Sequence, residues 1–187
     1  MLRALIFAIS VLSLGFPDAA FAQRWDPRKD ASTGTSRTLT DKSRDTMADF
    51  LERDASLQAF FDNAYGLVVF PSVGKGGVGL GYARGSGLVY RNGAPTARAF
   101  LRQYSVGFQL GGRSYSEIIF FRDQAEYDNF IRGDFTFRAD AAAIISTDGA
   151  GAASGYSDGV AVFTYERAGA MVDASIGGQR FSTRDLE

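Results

Sequence analysis

The sequence predicts an α+β protein: a mainly antiparallel, strongly curved or barrel-like sheet of about seven strands, with N-terminal helices and one inserted helix packed on it. Three observations carry this expectation. Sixteen Phe and eight Tyr against three Met describe an aromatic, β-rich core. Apolar residues alternate with polar or small ones over several long stretches. The strand-like stretches are joined by short connections, except the one that runs through a helix at about 123–132, and short connections fit hairpins rather than βαβ crossovers.

The first 22 residues read as a signal peptide. Arg3 supplies a positive start, Ala4–Phe16 is an apolar run too short to span a bilayer, and Ala20-Phe21-Ala22 is a small-x-small cleavage site. Cleavage after Ala22 implies a periplasmic or secreted protein with no transmembrane span. No cysteine follows the cleavage site, which excludes a lipid-anchored lipoprotein. Residues 23–38 are polar and without apolar period, a flexible linker. Residues 39–187 then form a single domain.

Thr40 or Asp41 can cap a helix running to about Arg53, with Met47, Phe50 and Leu51 as its apolar stripe. A shorter helix, Ser56 to Asn63, carries Leu57, Phe60 and Phe61. Tyr65 to Phe70 is a buried strand, turning at Pro71-Ser72. The glycine-rich stretch that follows puts Val78, Leu80 and Tyr82 on one face and Gly77, Gly79, Gly81 and Ala83 on the other. A glycine face leaves space unfilled, so another backbone or a ligand must approach it closely. Arg84-Gly85-Ser86-Gly87 makes a turn, Leu88–Arg91 returns, and Asn92-Gly93 signals a type I′ hairpin.

Thr96–Leu110 alternates, Gly111-Gly112 closes it, and Tyr115–Phe121 is the next strand. Asp123 and Glu126 form a capping box for the inserted helix, with Gly133 as its stop. Phe135–Ser146, Gly159–Glu166 and Gly169–Gly177 supply the remaining strands, separated by the Gly/Ala/Ser loop 148–158.

Composition narrows the chemistry. The chain has no Cys and no His. That excludes disulfides, Ser-His-Asp and Cys-His catalysis, Cys/His zinc sites and iron–sulfur clusters. Gly74-x-Gly76-x-x-Gly79 matches a dinucleotide fingerprint formally, but the glycines run into a strand where that motif needs a helix N-terminus. The P-loop fails because Gly76 stands where Ser or Thr is required. Asp148, Asp158 and Asp173 do not form the Ca loop pattern, and Asp148-Gly149 and Asp158-Gly159 read as ordinary turn pairs. The sequence therefore points to no cofactor, no metal, no nucleotide and no catalytic group. A net charge of −1 argues against a nucleic-acid surface. What remains is a local cationic set, Lys75, Arg84, Arg91, Arg98 and Arg102, in and after the glycine stretch.

Several segments in their order resemble the SYLF domain, also called the Ysc84 actin-binding domain. They are 64–71 (AYGLVVFP), 75–89 (KGGVGLGYARGSGLV), 106–112 (VGFQLGG) and 162–178 (VFTYERAGAMVDASIGG), so the likeness covers roughly 41–182. The resemblance implies binding rather than catalysis. Its eukaryotic members bind phosphoinositide-containing membranes and, in some cases, actin filaments. With a signal peptide and no attached SH3 or FYVE module, this chain resembles the stand-alone bacterial members. The resemblance implies a lipid or membrane surface as partner, or a protein partner of actin type. On the lipid reading, Lys75, Arg84, Arg91, Arg98 and Arg102 meet anionic headgroups. Gly77, Gly79 and Gly81 form the close-approach face. One departure stands out: the first helix is net acidic, whereas lipid binding in eukaryotic members relies partly on a basic one.

Overall fold

The computed structural model describes residues 38–133, 136–138, 142–144 and 155–186. The expected signal peptide and linker, and most of the 148–158 loop, lie outside them. Helix α1 (Leu39–Arg53) leads through a 3-10 turn (Ala55–Leu57) into α2 (Gln58–Asn63). Strands β1 (Gly66–Arg91) and β2 (Ala94–Phe121) follow, then α3 (Gln124–Arg132), the short β3 (Thr136–Arg138) and β4 (Ala142–Ile144), and β5 (Val160–Asp185).

The helix ends follow local chemistry. Thr38 caps α1 in a capping box: its hydroxyl accepts from the Asp41 N–H at 3.1 Å, and the Asp41 carboxylate accepts from the Thr38 N–H at 3.0 Å. The cap lies two residues before Thr40, where the sequence reading put it. Asp123 accepts from the Glu126 N–H to start α3, and Gly133 ends it in the left-handed conformation at φ 78°. Asn92 and Gly93, both at positive φ, turn β1 into β2. No described helix is long and apolar enough to cross a membrane.

One open five-stranded sheet runs β1-β2-β5-β3, and β4 pairs with β5 as well. β1, β2 and β5 pair antiparallel along almost their whole lengths, whereas β4 runs parallel to β5. Among the described residues the expected seven strands are therefore five, and the sheet they form is not closed into a barrel. Segments read from sequence as separate strands are halves of long bent ones. Pro71-Ser72 is an irregularity in β1 that does not reverse it, β1 runs straight on through Arg84–Gly87, and β2 runs on through Gly111-Gly112. The β1–β2 register shifts at the first of these, between Phe70 and Val73, and again between Val78 and Leu80, whereas 84–87 and 111–112 stay in uninterrupted β1–β2 pairing. The glycines that punctuate the sequence leave the backbone in the ladder.

β1 also folds back on itself. A Cβ at position 87 would overlap the Val69 carbonyl oxygen, one at 85 would stand 2.8 Å from the Val73 side chain, and one at 77 would overlap the Leu80 carbonyl oxygen. Positions 69 and 87, 73 and 85, and 77 and 81 therefore face each other, with the fold at Gly79, whose φ is +71°. β2 bends beside it, where Gly107 and Gly111 have positive φ.

Two cores result, one on each side of the sheet. Between the folded halves lie Val68, Phe70, Val73, Ala83, Val89, Leu101, Ile119 and Phe121, closed off by Tyr127 and Phe130 of α3. On the other side Leu67, Val69, Leu88, Ile118 and Phe120 pack under Met47, Phe50, Leu51, Leu57 and Phe61 of the N-terminal helices. Alternate residues of one strand enter opposite cores. That is why 67–70 and 118–121 read as continuous apolar runs.

The fold-back predicts a contrast between two glycines. Gly87→Ala should destabilise the protein by roughly 1–3 kcal/mol, because backbone rather than a flexible side chain stands in the way. Gly74→Ala, where nothing lies within 4 Å of the added carbon, should leave the denaturant midpoint nearly unchanged. Chemical denaturation of the two variants measures both.

Candidate functional site

The sheet register collects arginines that lie far apart in the chain. Arg84 on β1 is opposite Arg102 on β2, and Arg102 is opposite Arg180 on β5. Residues directly opposite in an antiparallel pair point to the same face, so these three form one row across three strands. All three are exposed, and none makes an ion pair among the described residues. Two positions along, Ser86, Phe100 and Ser182 form the next row. Beyond it Arg98 and Arg184 lie opposite each other, with the Arg184 guanidinium 5.2 Å from the Phe100 ring. Lys42, exposed on the first turn of α1, lines the same cavity of about 490 Å³ as Arg84 and Arg102.

Lys75 and Arg84 line a second groove of about 500 Å³, together with Tyr82, Gly74, Arg113 and Ser114. Lys75 is 92% covered and opposite Arg113, and Arg113 is neutralised by Glu166 at 2.6 Å. The structure thus brings Arg84, Arg98 and Arg102 onto one face and puts Lys75 in the groove beside Arg84. It does not bring Arg91 to them. Arg91 lies at the hairpin end, stacked over Tyr65 at 4.5 Å, and about 23 Å along the strand from Arg84.

The glycines named from sequence have different surroundings. Gly77 meets the backbone of Leu80 and Gly81, a carbon on it standing 2.7 Å from Gly81 Cα. Gly79 makes the bend and has open space around it. Among these residues the near neighbour is the protein's own backbone.

Sequence reasoning missed Arg180 and Arg184. The signal was present as an i, i+4 pair separated by strand-like residues, but only the register shows that they extend rows begun on β1 and β2. Glu117 was also missed. It is fully buried between the folded halves, where one carboxylate oxygen accepts from Gln179 Nε2 at 3.0 Å and the other has no partner. The Tyr115 hydroxyl lies 3.4 Å from the same Gln179 nitrogen. Burial pushes the Glu117 carboxyl from its ordinary 4.5 up to about 7, partly offset by the Gln179 bond.

A family model described as Ysc84, Las17-binding protein actin regulator, matches residues 102–187. That segment holds Arg102, Glu117, Arg180 and Arg184. Beta cell expansion factor A of Aeromonas veronii is 26% identical over 143 residues, which cover 73% of this chain and 54% of that protein. The chain spans about half the length of this curated relative.

The buried acid gives a pH prediction. Its folded-state pKa lies above its unfolded value, so between about pH 4.5 and 7 the folded protein holds more protons than the unfolded chain. Stability from this group is full below that window and falls as pH rises through it, by on the order of 3 kcal/mol. Glu117→Gln, which keeps the shape without the charge, should raise the thermal midpoint at pH 8 and flatten its dependence between pH 5 and 8. An unchanged pH profile in that variant would show that the acid does not titrate there.

Proposed function

We propose, from the match of residues 102–187 to the Ysc84 family model together with the arginine rows, that the chain is a non-catalytic module of the Ysc84 (SYLF) family that binds anionic lipid headgroups at a membrane surface. Residues 1–22 direct export to the periplasm or beyond, with cleavage after Ala22. The observation that carries the reading is the row Arg84–Arg102–Arg180. Like charges directly opposite on neighbouring strands disfavour the free protein. An anion lying across the row relieves that repulsion and offers oxygens to planar guanidinium donors. Arg98 and Arg184 supply a second row, and Lys42 and Lys75 flank the first.

Phosphoinositide-type headgroups, with several phosphates on a small ring, suit closely spaced arginines. The grooves on either side of Arg84 are of a size to admit such a headgroup. A protein partner of actin type is the competing reading, supported by the matched family's description as an actin regulator.

Co-sedimentation separates them. The protein should bind vesicles containing phosphatidylglycerol or a phosphoinositide, and binding should weaken as salt rises. Each arginine near an anionic surface contributes about 1 kcal/mol, so Arg84→Ala, Arg102→Ala and Arg180→Ala combined should weaken binding on the order of 100-fold. Equal binding by the triple variant, or binding insensitive to salt, would remove the headgroup reading. Capture of a filament or protein with no lipid selectivity would favour the alternative.

A further inference from the structure

Among the described residues seven large apolar or aromatic side chains are exposed, and six lie together where β1 and β2 bend: Val78, Leu80, Tyr82, Tyr104, Val106 and Leu110. Scattered exposed hydrophobes are ordinary, but six in one patch are not. Register makes the patch continuous. Val78 is opposite Leu110, Leu80 is opposite Val106, and Tyr82 is opposite Tyr104 with ring centroids 5.1 Å apart. Val78 is 77% exposed, Leu80 70% and Val106 66%. This is the end of the molecule away from the hairpin turn at Asn92-Gly93.

The rows have an order along the strands: two apolar rows at the apex, then the tyrosine pair, then Arg84–Arg102–Arg180. Aliphatic side chains outermost, tyrosines next and guanidinium groups behind them match the succession of acyl chains, interface and headgroups met on entering a bilayer leaflet. Rows are about 7 Å apart and β1 turns back at Gly79, so the apex reaches about 7 Å beyond the tyrosines. That suits insertion to the boundary of headgroups and acyl chains rather than spanning. Shallow depth also fits the backbone. β1 is the terminal strand of the sheet, and an unpaired strand edge is not tolerated deeper in hydrocarbon.

We infer that this apex is a membrane-inserting element, with an anionic lipid leaflet as its occupant, and that the arginine row behind it stops entry at the headgroups. The inference rests on the headgroup reading above and adds to it an apolar step. A second copy of the chain fits worse. Apposing two apices would bring two Arg84–Arg102–Arg180 rows towards each other, whereas anionic lipid neutralises them.

The chain has no cysteine, so a Leu80→Cys variant takes a single environment-sensitive fluorophore. Mixed with vesicles of phosphatidylcholine and phosphatidylglycerol, the label at 80 should shift to the blue and be quenched by lipids brominated high on the acyl chain. A label at Glu52→Cys, exposed on α1, should do neither. Leu80→Asp with Val106→Asp should weaken vesicle binding by at least tenfold while the thermal midpoint, for side chains so exposed, stays close to that of the parent. Vesicle binding with the label at 80 still in water would overturn insertion and leave the headgroup reading intact. No binding to any vesicle would remove the headgroup reading and insertion with it. A disulfide joining two copies of the unlabelled Leu80→Cys variant, with vesicles unable to compete, would assign the apex to a second copy and overturn the proposal.

Discussion

The close approach of the two halves of β1 is the constraint on which the rest depends. A strand of 26 residues lying straight would run about 86 Å and could bury neither face of so narrow a ribbon. Folded at Gly79, the same strand becomes its own facing layer. The contact at position 87 admits no side chain, because the Val69 carbonyl oxygen occupies that space. Glycine in a strand costs conformational entropy, roughly 0.5–1 kcal/mol each. What offsets it is the core the fold-back closes, where Phe70, Phe121, Phe130 and Phe181 meet ring to ring.

The fold-back also decides what is left outside. A ribbon bent sharply at one point must expose the outer side of the bend, and there the alternating pattern of β1 and β2 leaves valine, leucine and tyrosine in solvent. The rows next to the bend are fixed by register, so the arginines stack without any helix or loop to hold them. Several other cations have partners. Arg113 meets Glu166, Arg91 lies over Tyr65, and Arg53 lies over Tyr165 at 3.6 Å. The row at 84, 102 and 180, without an ion pair among the described residues, is set apart by that contrast more than by its charge alone.

Local signals were legible in the sequence. The capping residues at 123–126, the stop at Gly133 and the turn at 92–93 are each written within four residues, and each is where the sequence reading put it. Strand number was not legible. Glycine and proline mark both turns and bulges, and only pairing with β2 distinguishes a reversal at 92–93 from a bulge at 71–72 or an uninterrupted strand at 85–87. The site was legible by halves for the same reason. Arg84, Arg98 and Arg102 are close in sequence and were seen as a set. Arg180 joins them only through a register that no local pattern encodes. The alternation of Val78, Leu80 and Tyr82 showed that they share a face, but alternation is silent on whether a face is covered. Glu117 sits inside an apolar run, and its burial follows from the fold-back rather than from its neighbours in sequence.

Net charge is a poor guide to such a surface. A total of −1 disfavours a broad polyanion-binding face, but it is a sum over the whole chain. An approaching surface responds to the charge within about a Debye length of the contact, about 8 Å at physiological salt. Along the β1–β2–β5 rows that charge is positive, although α1, which carries Asp45, Asp49 and Glu52, packs on the same side of the sheet, with Lys42 nearest the row. A nucleic acid offers phosphates too, but it has no apolar phase to receive Val78, Leu80 and Val106. A lipid leaflet presents both phases in the order in which the strands present their partners.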